Sequence, residues 1–123
     1  METDFLTQKI ISCAIEVHKN LGPGLLESSY ESCLIYELAQ SGVHIERQVL
    51  LPISYKGVKI DAGYRLDILL PGQLIIELKS VDRLAAIHTA QLITYLKLAR
   101  IKTGLLMNFN VRFMKDGIKR VSI

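Results

Sequence analysis

The sequence predicts a single α/β domain over residues 1–123, an α+β sandwich with helices flanking a mixed central β-sheet in the order α-α-β-β-β-α-β-β. Three observations predict it. Apolar residues recur at the helical period in three separate segments. Between the second and third of these the period shortens to that of strands, punctuated by turn residues at Tyr55-Lys56-Gly57 and Pro71-Gly72. Leu74-Ile75-Ile76 is apolar on both faces, the mark of a strand at the centre of a sheet.

The first helix is expected over Phe5–Asn20, with Ile10, Ile11, Ala14, Ile15 and Val17 in its apolar stripe. Gly22 suits the left-handed position just past its end, and Pro23 prevents continuation. A second helix follows over Leu25–Gln40, with Tyr30, Leu34 and Leu38 on one side, and ends at Ser41-Gly42. The short connector predicts that these two helices pack together. Strands are then expected over Val43–Ile53, over Val58–Leu70 with a bend near Gly63, and over Gln73–Ser80. Leu84–Arg100 returns to the helical period. Gly104–Asn110 and Ile118–Ile123 complete the sheet, the latter after a turn at Asp116-Gly117.

Composition narrows the classes of function. Half of the residues are apolar, enough for one packed core with some left for an interface. The longest apolar runs, such as Ile68–Leu70 and Leu74–Ile76, fall far short of the roughly 20 residues of a membrane span. The start, Met1-Glu2-Thr3-Asp4, is acidic and unlike a secretory signal, so a cytoplasmic location is expected. Cys13 and Cys33 each sit in an apolar helical pattern with no CxxC pair, which argues against zinc or iron–sulfur sites. The net charge of +3 permits a polyanionic partner without requiring one. Arg100, Lys102, Arg112, Lys115, Lys119 and Arg120 crowd the last quarter, where they serve either as phosphate contacts or as a solvated surface.

Chemistry concentrates around Glu77-Leu78-Lys79. Side chains alternate along a strand, so Glu77 and Lys79 point the same way. Such a pair reads either as an ion pair at a sheet edge or as part of a site. Asp67 lies on the preceding strand, and a hairpin through Pro71-Gly72 brings it near or opposite Glu77, the register depending on loop length. Two facing carboxylates repel, and such a pair normally needs a cation between them. Glu27 and Tyr30 share one face of the second helix, where Glu27 is also a first-turn acid favoured by the helix dipole. Glu31, one turn on, reads as a solvated surface acid. Gln91 and Tyr95 share a face of the third helix, with His88 one turn before Gln91 as a residue for substrate or for structure.

These motifs carry a resemblance. An Asp-terminated strand, a turn and a strand bearing Glu-x-Lys resemble the core of the PD-(D/E)xK nuclease superfamily, although Leu66 stands where the name-giving proline would. Gly24-Leu25-Leu26-Glu27-Ser28-Ser29-Tyr30 matches the signature of the GxxExxY family within it, and Gln91-Leu92-Ile93-Thr94-Tyr95 is similar to the QxxxY of related nucleases. The resemblance runs from about Phe5 onward. It implies Mg²⁺ or Mn²⁺ held by Glu27, Asp67, Glu77 and the carbonyl of Leu78, with Asp67, Glu77, Lys79 and Gln91 catalytic. Tyr30, His88 and Tyr95 would then meet a nucleic-acid substrate, with DNA favoured over RNA. The rival readings are a non-catalytic binding module of the same fold and an assembly protein. A homodimer is the expected assembly, being the commonest closed one.

Overall fold

The computed structural model describes residues 2–123, with side chains from Asp4 onward; Met1, at the acidic start read above, lies outside the described residues. Helix α1 spans Glu2–Leu21 and α2 spans Glu27–Gln40. Strands β1 (Glu46–Leu50), β2 (Ile53–Tyr55), β3 (Val58–Ile60), β4 (Arg65–Leu70) and β5 (Leu74–Lys79) follow. Helix α3 (Ala86–Ala99), β6 (Thr103–Asn108), a one-turn 3₁₀ helix (Met114–Gly117) and β7 (Ile118–Ser122) complete the chain. Among the described residues no helix is long and apolar enough to cross a membrane.

The sheet runs β1-β4-β5-β6-β7, so β5 is its central strand, and its residues Leu74 to Leu78 are all buried. Only β5 and β6 are parallel, and α3 makes the crossover that a parallel pair requires. Two apolar layers result. Ile10, Ala14 and Val17 of α1 and Tyr30, Leu34 and Leu38 of α2 cover one face through Ile68, Leu70, Ile76, Leu78 and Met107. Leu92, Tyr95 and Leu96 of α3 cover the other through Ile75, Leu106 and Val121. Ile15, placed in the α1 stripe by sequence, faces outward at 44% exposure, since it lies on the flank of the arc that meets α2.

Two expected strands are each divided. Val43–Ile53 breaks at Pro52, which has no N–H to give a ladder, so β1 ends at Leu50 and β2 starts a separate hairpin. Val58–Leu70 breaks around Gly63, at φ +78°, separating β3 from β4. The β2–β3 hairpin closes through Lys56 and Gly57, both with positive φ, which matches the twist of a two-residue hairpin turn.

The basic residues of the last quarter do not form one patch. Arg120 pairs with Asp4 at 2.6 Å, and that guanidinium holds the Asp4 carboxyl below its ordinary value. Arg100 and Lys102 lie beside Gly72 and Gln73, where β5 and β6 begin. Arg112 and Lys115 follow the opposite end of β6.

Candidate active site

The β4–β5 ladder pairs Leu70 with Leu74, Leu69 with Ile75 and Ile68 with Ile76. One step further the same register sets Asp67 opposite Glu77, but there side chains replace the backbone rungs. Glu77 Oε2 accepts the Asp67 backbone N–H at 2.9 Å, and Asp67 Oδ2 accepts the Leu78 backbone N–H at 2.9 Å. Buried N–H groups need partners, and carboxylates are strong ones. The hairpin therefore opens at the acids without leaving its amides unpaired.

Strand β4 also changes face here. Leu66 packs with the α3 layer, whereas Ile68 and Leu70 pack with the α1–α2 layer. Its neighbour β1 does the same: Val49, opposite Leu66, joins the α3 layer, while Arg47, opposite Ile68, reaches α2. Between them Gln48 adopts φ +50°, a left-handed backbone costing on the order of 1–2 kcal/mol for a residue with a Cβ. The Gln48 amide donates to Glu31 Oε1 at 2.8 Å and, more weakly, to Asp67 Oδ1 at 3.4 Å. Arg47 binds the other Glu31 oxygen at 2.9 Å. A polar chain thus runs from α2 across β1 to Asp67.

This corrects the reading of Glu31 as a solvated acid: it is buried and held by two donors. The signal was in the sequence, because Glu31 precedes Leu34 and Leu38 by three and seven residues and so shares their stripe. Gln48 carried no such signal, since nothing in its sequence context marks a left-handed glutamine.

Electrostatics single out the acid pair. Burial pushes the Glu77 carboxyl up to about 8, the facing Asp67 charge pushes the same way, and the Asp67 N–H and Lys79 oppose. Burial also raises Asp67, against the Leu78 N–H, and the Glu31 charge adds to the rise. The charge of Glu27, exposed in the first turn of α2, raises both. Tyr95 is raised by burial and by the Glu77 charge, so α3 closes over the same acids. Its ring lies 6.2 Å from that of Tyr64.

A match to the family model of the PD-(D/E)XK nuclease superfamily extends over residues 4–121, nearly the full chain. The chain belongs to the PD-(D/E)XK nuclease superfamily. No curated protein and no solved structure matches it. Nucleases of this superfamily generally use divalent metals. Among the described residues no three of His, Cys, Asp and Glu stand close enough to share a cation as they lie. The donor chemistry nonetheless fits a hard cation: repelling carboxylates share one end of the sheet, and Glu77 Oε1 accepts no hydrogen bond among the described residues.

One expected substrate role changes. Tyr30 is fully buried and cannot meet substrate. Its hydroxyl donates to the Gly22 carbonyl at 2.6 Å and accepts from the Leu25 N–H at 3.1 Å, and its ring stacks on Phe109 at 4.6 Å. It therefore fixes the connector that carries Glu27. His88 Nδ1 accepts the Ala85 N–H at 2.9 Å, so this ring nitrogen caps α3. Gln91 lies half-buried one turn before Tyr95, but the side-chain amide that bonds to Asp67 comes from Gln48. Tyr30→Phe should lower stability by about 1–3 kcal/mol, because the Leu25 N–H and Gly22 carbonyl lose their partner. A thermal melt would check this, and an unchanged melting temperature would show that water replaces the hydroxyl.

Proposed function

We propose that the protein is a Mg²⁺- or Mn²⁺-dependent nuclease that hydrolyses phosphodiester bonds in nucleic acid. The observation that carries this reading is the pair Asp67 and Glu77, opposed across a hairpin with Lys79 beside them. Asp67, Glu77 and Glu27 would hold the cation, with the Leu78 carbonyl as a further oxygen donor. The chemistry a bound cation supplies is polarisation of the phosphodiester and acidification of a water.

The remaining work falls to the chain. The Leu78 N–H and Gln48 fix the Asp67 carboxylate, so its geometry is set before substrate arrives. With a cation held there, Glu77 would act as a carboxylate ligand, its proton released to solvent. Lys79 orients the attacking water and stabilises negative charge developing around phosphorus. The water oxygen bonds to phosphorus while the bond from phosphorus to the leaving oxygen breaks; the water's proton is released to solvent, and the leaving oxygen takes one from solvent.

The deciding experiment is cleavage of single- and double-stranded DNA and RNA with Mn²⁺ or Mg²⁺, beside Asp67→Ala and Lys79→Ala. Lys79→Ala should reduce the rate by about 10²–10³-fold, and a chelator should stop it. Added salt should weaken substrate binding. A folded wild type that binds nucleic acid yet cleaves none would replace this reading with a non-catalytic binding module.

A further inference from the structure

A cleft lies between α1 and the loop joining β6 to the 3₁₀ helix. It has a volume of 470 Å³. Ile15 and Met114 give it apolar lining, and Phe113 adds an aromatic ring that is 53% exposed. Lys19, Arg112 and Lys115 also line it, and among the described residues no carboxylate does. The Arg112 guanidinium lies over the Phe113 ring, 5.1 Å from its centroid. Ring and guanidinium form one flat cationic platform, the kind of surface on which bases stack.

The cleft is built, not incidental. His18 is buried, and its Nε2–H donates to the Val111 carbonyl at 2.7 Å, tying the Phe113 loop to α1. Asn108, at the end of β6, accepts N–H bonds from Val81 and Asn110 and donates to the Val81 carbonyl. One side chain thus joins the exit of the catalytic strand β5 to the start of the Phe113 loop. Gly117 packs on the Asn108 carbonyl so closely that a Cβ there would overlap it.

The cleft is also linked to the end of β5. Gly22 lines it, and Tyr30 ties Gly22 to Leu25. The Leu25 carbonyl in turn accepts the Ser80 hydroxyl at 2.6 Å, next to Lys79. The connector therefore joins the cleft to the end of the sheet where β5, the strand of Glu77 and Lys79, and β6 finish.

We infer that this cleft is a subsite for an unpaired nucleotide of the substrate strand, with its base on Phe113 and its phosphates on Lys19, Arg112 and Lys115. A base can reach such a platform only when it is out of a duplex stack. The protein should then favour single strands, or duplexes with an unpaired overhang, over blunt duplexes. This inference rests on the nuclease reading for the identity of its ligand.

The test measures binding without cleavage, using the full chain in chelator and fluorescence anisotropy. The probes are a fluorescent oligothymidylate, a blunt duplex, the same duplex with an unpaired overhang, and inorganic polyphosphate as competitor. Wild type should bind the single strand and the overhang about tenfold more tightly than the blunt duplex. Phe113→Ala should remove about tenfold of that affinity and leave duplex binding unchanged. Arg112→Ala with Lys115→Ala should flatten the salt dependence by one to two phosphate contacts, roughly 0.7 in slope for each on a single strand. Both positions are exposed, and a thermal melt checks folding.

Equal binding of single strand and blunt duplex would overturn the subsite. So would a Phe113→Ala variant that binds like wild type, or polyphosphate that displaces the oligonucleotide as well as unlabelled oligonucleotide does. Failure of the nuclease reading looks different: Phe113-dependent binding of single strands would persist, with no cleavage in Mg²⁺ or Mn²⁺.

Discussion

Glu77→Gln is expected to make the metal-free protein more stable than wild type above pH 8 and to abolish cleavage. Glu77 lies between the α3 layer and Asp67, and its carboxyl is pushed up to about 8 from an ordinary 4.5. The folded chain therefore keeps a proton that the unfolded chain releases between those values. Stability from this group is fully present below pH 4.5, falls as pH rises, and is lost above about 8. A gap of that size corresponds to on the order of 3–5 kcal/mol, or a melting shift on the order of 10 °C. Glutamine stays neutral and still accepts the Asp67 N–H, so it escapes the loss. Added Mg²⁺ or Mn²⁺ should reverse the order at pH 8, because a cation rewards the charged carboxylate and binds the folded state. Melting curves of both proteins from pH 5 to 9, with and without metal, check this. Parallel pH profiles would show that Glu77 is not held protonated.

This trade of stability for charge explains which parts of the site could be read from the sequence. The opposition of Asp67 and Glu77 followed from strand alternation and the Pro71-Gly72 turn, both local rules. The burial of β5 on both faces followed from Leu74-Ile75-Ile76. The packing of α1 on α2 followed from two apolar stripes and a short connector. What stayed hidden depends on contacts between elements distant in sequence. Glu31 belongs to the polar chain only because β1 brings Arg47 and Gln48 beneath α2. The resemblance implies a substrate contact for Tyr30, yet the loop after α1 folds back over its hydroxyl. The basic tail looked like one cluster, but β6 carries its members to opposite ends of the sheet.

Asp67 carries the second large expectation, because it is an acceptor twice over. The Leu78 N–H donates to one oxygen and the Gln48 amide to the other, while Gln48 also donates to Glu31. Only a carboxylate can receive both donors. In Asp67→Asn the single carbonyl oxygen must serve the Leu78 N–H, which has no other partner within the opened hairpin. The new amide then faces the Gln48 amide, donor to donor. Gln48 must turn its own oxygen inward and give up Glu31. The expected loss is about 1 kcal/mol. Asp67→Ala also leaves the Leu78 N–H unpaired beside the core, and should cost about 1–3 kcal/mol more. These differences are best measured near pH 6, where Glu77 holds its proton and repulsion between the two acids does not obscure them. Both variants should lose cleavage by about 10³-fold, since each removes an anionic oxygen donor and several kcal/mol of metal-assisted stabilisation with it. Cleavage within about tenfold of wild type in Asp67→Ala would move the chemistry away from this hairpin. Equal stability of the two variants would mean that the Asp67–Leu78 bond organises the site without holding the fold.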